Sequence, residues 1–172
     1  GDLIIFWLCW EGMAVSSTFL VLARRTPGAT GAAMRSLMVQ LVSGLLVLVG
    51  IALHVHHTGS IAFDSMTPES GSILDIEWTG AVTQLIFLGL GNKCGWPLLH
   101  NRNCDGYPAA TATGTVFLSA FTTKTAVYAL ARAFPGTEEL IWIGTGMAVF
   151  PIFFAVIEND VRRVLCYSMI NQ

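Results

Sequence analysis

Runs of about twenty apolar residues, repeated five times and each closed by polar or basic residues, constrain this chain more than any other feature. An α-helix needs about 20 residues to cross the hydrocarbon core of a bilayer, and lipid leaves no other way to satisfy the backbone of an open chain. The runs cover residues 3–23, 37–55, 79–99, 113–131 and 140–157. Between the second and third, residues 58–78 carry Asp64, Glu69, Asp75 and Glu77 together with Pro68 and two glycines, which reads as a long loop outside the lipid. Thr26, Pro27, Gly28, Ala29, Thr30 and Gly31 read as a turn-rich connection, and 100–112 as a polar one. The expected fold is therefore all-α: a single polytopic transmembrane helix bundle of about five spans. Composition agrees, since 53% of residues are hydrophobic and only 12% are charged, about half the usual charged share.

Alternating crossings sort the basic residues. Arg24, Arg25, Arg35, Arg102, Arg162 and Arg163 fall on one side, while Arg132 and most of the acids fall on the other. The positive-inside rule makes the arginine-rich side cytoplasmic, so the first span runs from outside to inside. A net charge of -2 gives no electrostatic reason to expect a nucleic-acid partner. Cys9, Cys94, Cys104 and Cys166 are scattered without a CxxC pair and read as small apolar fillers. His54, His56 and His57 stand at a membrane exit with no cysteine or clear carboxylate at ligand spacing, so no metal is expected there. No phosphate loop, nucleophile elbow or haem-attachment motif is present, so no bound cofactor and no redox or hydrolytic chemistry of the chain's own is expected. The chain begins at Gly1 without an initiator methionine, and both ends read as cut.

Three charges interrupt the spans. Glu11 is the ninth residue of a 21-residue run, Lys93 the fifteenth of 21 and Lys124 the twelfth of 19. At about 2.5–3.5 kcal/mol for each central charge, three unpaired ones would cost roughly 8–10 kcal/mol, so they must pair or meet water. Snorkelling to a headgroup is the alternative for a lysine, but Lys124 is far from both ends and Glu11 has too short a stem. Pro97 cannot donate to the carbonyl four residues earlier, which belongs to Lys93, so the third span is expected to break there, with Gly89, Gly91 and Gly95 loosening it further. Burial favours the neutral amine of a lysine and a nearby carboxylate favours the ammonium. Approach of Glu11 to Lys93 would thus hold a proton, and separation would release it toward Lys124. Tyr128, one turn beyond Lys124, could support such a relay, as could Thr122 and Thr123, although span threonines commonly bond backbone carbonyls instead.

Trp10-Glu11-Gly12-Met13, Lys93-Cys94-Gly95-Trp96-Pro97-Leu98-Leu99-His100, Thr123-Lys124-Thr125 and the stretch from Asn159-Asp160-Val161-Arg162-Arg163 to Ser168 form an ordered set. Together they resemble the proton-conducting antiporter-like subunits shared by respiratory complex I and the Mrp-type cation/proton antiporters, with wording nearest the antiporter D subunit. The resemblance runs over essentially the whole chain and implies helices five to nine of a fourteen-helix protein. It implies that Glu11, Lys93 and Lys124 are the charges of a proton relay, and that the partners are other membrane subunits, the bilayer, protons and Na+ or K+. It points to a bacterial inner membrane. One departure lies after His100, where the family usually reads His-x-Trp-Leu-x-Asp and this chain reads Asn101-Arg102-Asn103-Cys104-Asp105. The family's second inverted repeat also lies outside these 172 residues. The two functions to weigh are a working part of an ion-translocating subunit and a non-transporting structural subunit of a larger membrane complex.

Overall fold

The computed structural model describes residues 1–64, 66, 78–97 and 100–172; the rest of the expected 58–78 loop, and residues 98–99 of the expected third span, lie outside the described residues. The described residues form helices and no strand, in the order α1 (Leu3–Leu22), α2 (Pro27–Thr58), α3 (Trp78–Cys94), α4 (Asn101–Ala109), α5 (Ala112–Phe117), a π-helical turn (Leu118–Thr122), α6 (Thr123–Ala133), α7 (Glu138–Ile157) and α8 (Val161–Asn171). Among them α1, α2 and α7 are each long and apolar enough to cross a membrane.

Helix α2 starts earlier than the apolar run that announces it. The expected turn at 26–31 is instead its first turn: Thr26 caps it by accepting from the Ala29 N–H at 3.3 Å, and Pro27 takes the first helical position. Proline lacks only an N–H that a helix start leaves unpaired anyway, so the same residues that signal a turn also suit an N-terminus. The other end of α2 closes on Gly59 at φ 69, a left-handed cap.

Helix α2 is the centre of the bundle, with α1 and α3 packed on either side of it and α4 near its beginning. Small residues permit this. A Cβ on Gly50 would strike the Ile86 side chain, and one on Gly89 would lie 2.5 Å from Val47 Cγ2 and 2.9 Å from the Ser43 carbonyl oxygen. Close approach through glycine is a recurrent way to pack membrane helices, where lipid supplies no hydrophobic drive. One apolar core gathers Leu3, Trp10, Val47, Ile86, Leu90 and Phe134, and a second gathers Val21, Cys104, Leu118, Cys166 and Ile170. Outside these, the surface is strongly apolar: Trp142, Val156 and Ile157 on α7 are 74%, 81% and 76% exposed. An exterior of that kind is unsuited to water and matches a bilayer. The protein is an integral membrane helix bundle.

The break in the third span is present. Helix α3 ends at Cys94 and Gly95 takes φ 83. The Trp96 N–H reaches back to the Gly91 carbonyl at 3.4 Å and the Gly95 N–H to that of Asn92 at 3.3 Å, the paired bonds of a Schellman ending. Pro97 follows two residues later, already clear of the helix and exposed. The end is therefore made by Gly95 in a left-handed conformation that suits glycine, and the proline keeps the chain from resuming. Gly95→Ala would force a side chain into that conformation and set its Cβ 2.6 Å from Asn103 Nδ2. It is expected to lower stability by about 1–2 kcal/mol, seen as an earlier thermal transition in detergent.

The 100–112 connection is likewise more ordered than expected, since most of it forms α4. Its Asp105 faces Arg35 of α2 at 3.9 Å. At its C-terminal end the Pro108 carbonyl accepts from Arg24 Nη1 at 2.7 Å and from Arg162 Nη1 at 3.3 Å, and Arg162 also reaches the Ala110 carbonyl at 3.4 Å. Guanidinium groups suit the negative end of a helix. Arginines from the end of α1, from α2 and from α8 thus collect around α4. At the opposite end of α1, the chain after α2 returns to its start, where the Leu3 N–H donates to the Ile61 carbonyl at 2.9 Å and Arg132 lies over the Phe63 ring at 5.0 Å.

Candidate functional site

Lys93 occupies the last turn of α3, immediately before the break, and its side chain is completely buried. Its ammonium donates to the Trp10 carbonyl of α1 at 2.6 Å and lies 3.9 Å from the centroid of a Trp10 ring. A cation over an indole face gains about 2 kcal/mol or more when shielded from water, and the end of a helix favours positive charge as well. Trp10, itself 1% exposed, therefore both shelters the charge and accepts its proton in a hydrogen bond.

Glu11 is the next residue on α1, only partly buried, and the charge of Lys93 acts on its carboxylate. The carboxylate lies against the Cα of Gly44 on α2, where any Cβ would overlap it. Its Oε1 is buried and makes no hydrogen bond among the described residues. Around this point the three helices are tied by polar bonds: Trp7 Nε1 donates to the Gly44 carbonyl at 3.0 Å, Ser43 Oγ to the Gly89 carbonyl at 2.6 Å and Asn92 Nδ2 to the Val39 carbonyl at 3.1 Å. Each bond crosses between helices, so the register of α1, α2 and α3 is fixed where the two charges stand.

Lys124 does not join this pair. It is the second residue of α6 and is exposed, against the expectation that all three charges are buried. It lines a groove of about 580 Å³ between the π-helical turn, α6 and α8, together with Thr115, Ser119, Arg162 and Ser168. Tyr128 is 58% exposed, and its hydroxyl accepts from Arg132 Nη1 at 3.1 Å, one turn away from Lys124 in the other direction. Thr123 and Thr125 take the ordinary course for span threonines, donating to the Ser119 and Phe121 carbonyls at 3.5 and 2.7 Å.

Two elements of the site carry no sequence signal. The π-helical turn at Leu118–Thr122 directly precedes the Lys124 segment, and such turns concentrate at functional positions. A small polar cluster joins α1 to α2, in which buried Gln40 Nε2 donates to Ser17 Oγ and to Ser36 Oγ, both at 3.2 Å. Beside it lies a void of about 10 Å³ reached also by Tyr107 and Thr122, large enough for about one water. Trp10, too, is legible only as an aromatic next to Glu11.

The sequence matches, over residues 1–172, the family described as NADH:quinone oxidoreductase/Mrp antiporter, TM. Hydrogenase-4 component B of Escherichia coli is 26% identical over 96% of this chain and 26% of its own length. A component of the Na(+)/H(+) antiporter of Alkalihalophilus pseudofirmus is 28% identical over 100% of this chain and 37% of its own. Among solved structures, one chain of the membrane-bound sulfane sulfur reductase, an archaeal respiratory membrane complex, superposes with a TM-score of 0.83 at 29% identity, over 99% of this chain and 37% of that one. A chain of the Mrp complex from Dietzia gives the same TM-score of 0.83 at 23% identity, over 99% of this chain and 34% of that one, which is likeness of fold. The chain thus spans about a fifth to two-fifths of the proteins it matches. With a buried lysine at a broken helix, a neighbouring glutamate and a match along its whole length, this chain belongs to the NADH:quinone oxidoreductase/Mrp antiporter family of membrane proteins.

Proposed function

We propose that the chain is the part of an ion-translocating membrane subunit that moves protons, exchanged for Na+ or K+ or coupled to a redox reaction elsewhere in a multisubunit complex. The observation that carries this reading is Lys93, wholly buried, bonded to the Trp10 carbonyl and acted on by Glu11. Intramembrane charges cost several kcal/mol and are kept where they serve a pathway. A lysine held against a carbonyl and a ring is a buried charge whose proton affinity responds to its surroundings, and the distance to Glu11 sets how readily it gives the proton up. The Gln40–Ser17–Ser36 cluster and the neighbouring void supply polar ground between α1, α2 and the π-helical turn that precedes Lys124. Lys124 would then hand the proton to the groove on its far side. The arginines around α4 would face the cytoplasm, in a bacterial inner membrane, and further membrane subunits would cover the apolar flank of α7.

Intact complex reconstituted in liposomes should move protons either on an imposed Na+ or K+ gradient or on supply of its redox substrates, followed with an enclosed pH-sensitive dye. Lys124→Gln, at an exposed position that tolerates the change structurally, is expected to slow this by roughly tenfold or more, the scale on which a positioned proton carrier contributes. Normal rates in that variant would remove Lys124 from the relay, and a wild-type complex that moves no protons would sink the proposal.

A further inference from the structure

Cys104 on α4 and Cys166 on α8 read in the sequence as isolated fillers, yet their sulfurs face each other at 3.7 Å, both buried. They join two elements far apart in sequence, the short helix after the break and α8. The Cys166 thiol donates to the Cys104 sulfur. That contact holds the Cys104 thiol below the usual thiol range, helped by Tyr167 and Arg163 and opposed by burial. Access is unequal. Cys166 lines the groove of about 580 Å³ beside Leu165 and Met169, whereas Cys104 is absent from its walls and sits behind. One thiol, although buried, thus borders the groove and the other is placed behind it to complete an exchange.

We infer that Cys104 and Cys166 form a reactive dithiol that low-molecular-weight disulfides close into a bond between α4 and α8. The Cys166 thiolate attacks a disulfide RSSR entering by the groove, forming a Cys166–S–S–R bond and releasing RS⁻. Cys104 thiolate then attacks the Cys166 sulfur, forming Cys104–S–S–Cys166 and releasing the second RS⁻. The two thiol protons end on two RSH, the cysteines are oxidised and RSSR is reduced. Thiolate character and reach set the rate of each step. The closed form ties α4 to α8. This chemistry does not depend on whether the chain moves ions.

The test uses the whole protein in native membranes, treated with oxidised glutathione, then with N-ethylmaleimide, and digested for peptide mass analysis. Loss of alkylation at Cys104 and Cys166 together is expected, with one cross-linked peptide, and dithiothreitol should restore both. Cys104→Ser should instead trap glutathione on Cys166, and Cys166→Ser should leave Cys104 free. Full alkylation of both cysteines in the oxidised wild type would overturn the inference. So would a glutathione adduct that persists on Cys166 in the wild type as it does in Cys104→Ser.

Discussion

Lys93→Met is expected to abolish proton movement through the reconstituted complex while the protein still folds. Methionine keeps much of the length and volume of the lysine stem and loses only the ammonium, which in the native chain donates to the Trp10 carbonyl at 2.6 Å and lies 3.9 Å from the indole centroid. Volume-conserving replacements in packed interiors usually cost less than about 1.5 kcal/mol, so the folded assembly should survive. Lys93→Ala should be equally silent in transport and also lose about 2–5 kcal/mol of stability, as truncation of a long buried side chain does. Proton flux is read with the enclosed dye and assembly by size-exclusion of the detergent-solubilised complex. A Lys93→Met complex that assembles and pumps at the wild-type rate would show that the charge is structural.

Two glycines, one on α2 and one on α3, should separate function from folding. A Cβ at Gly44 meets the outer atoms of the Glu11 side chain, which can swing away. Gly44→Ala should therefore displace the carboxylate from its place near Lys93 and depress transport, as Glu11→Gln is also expected to do, with little change in thermal stability. Gly89→Ala is different in kind, because its Cβ meets the Ser43 carbonyl oxygen at 2.9 Å and the Val47 backbone nitrogen at 3.2 Å. Backbone cannot move aside cheaply, so the helices must part at a cost of about 1–3 kcal/mol. Thermal unfolding in detergent beside dye-monitored flux distinguishes the two variants. Equal loss of stability in both would mean that the Glu11 side chain is as tightly fixed as backbone.

Much of the bundle can be read from the sequence because lipid allows so few arrangements: long apolar runs become helices, and a glycine-rich stretch ending in proline becomes a break. Where sequence and structure part, local chemistry has two uses. Thr26 and Pro27 serve a turn or a helix start equally well, and the polar stretch after His100 has enough interhelical partners, in Arg35, Arg24 and Arg162, to fold as α4. The site is legible to the extent that charge in a span is costly. That argument points to Glu11 and Lys93, whose charges interact here, but says nothing of orientation around the helix, so the exposed face of Lys124 escapes it. The shelter given by Trp10, the room left by Gly44 and the π-helical turn at Leu118–Thr122 all depend on packing between helices, which no single-helix periodicity encodes.

The Pro108 carbonyl has a mechanical meaning of its own. Arg24 follows the end of α1 and Arg162 opens α8, so one oxygen on α4 is a knot through which three segments, remote in sequence, share load. The two pieces flanking the break are consequently anchored by unlike means. Helix α3 is wedged into α2 by close-fitting backbone, whereas α4 is seated by buried Cys104 and Tyr107 and tied at its C-terminal end by long, jointed guanidinium arms. Displacement of the C-terminal end of α4 would be taken up by the arms before the wedge gave way, leaving Lys93 a fixed point.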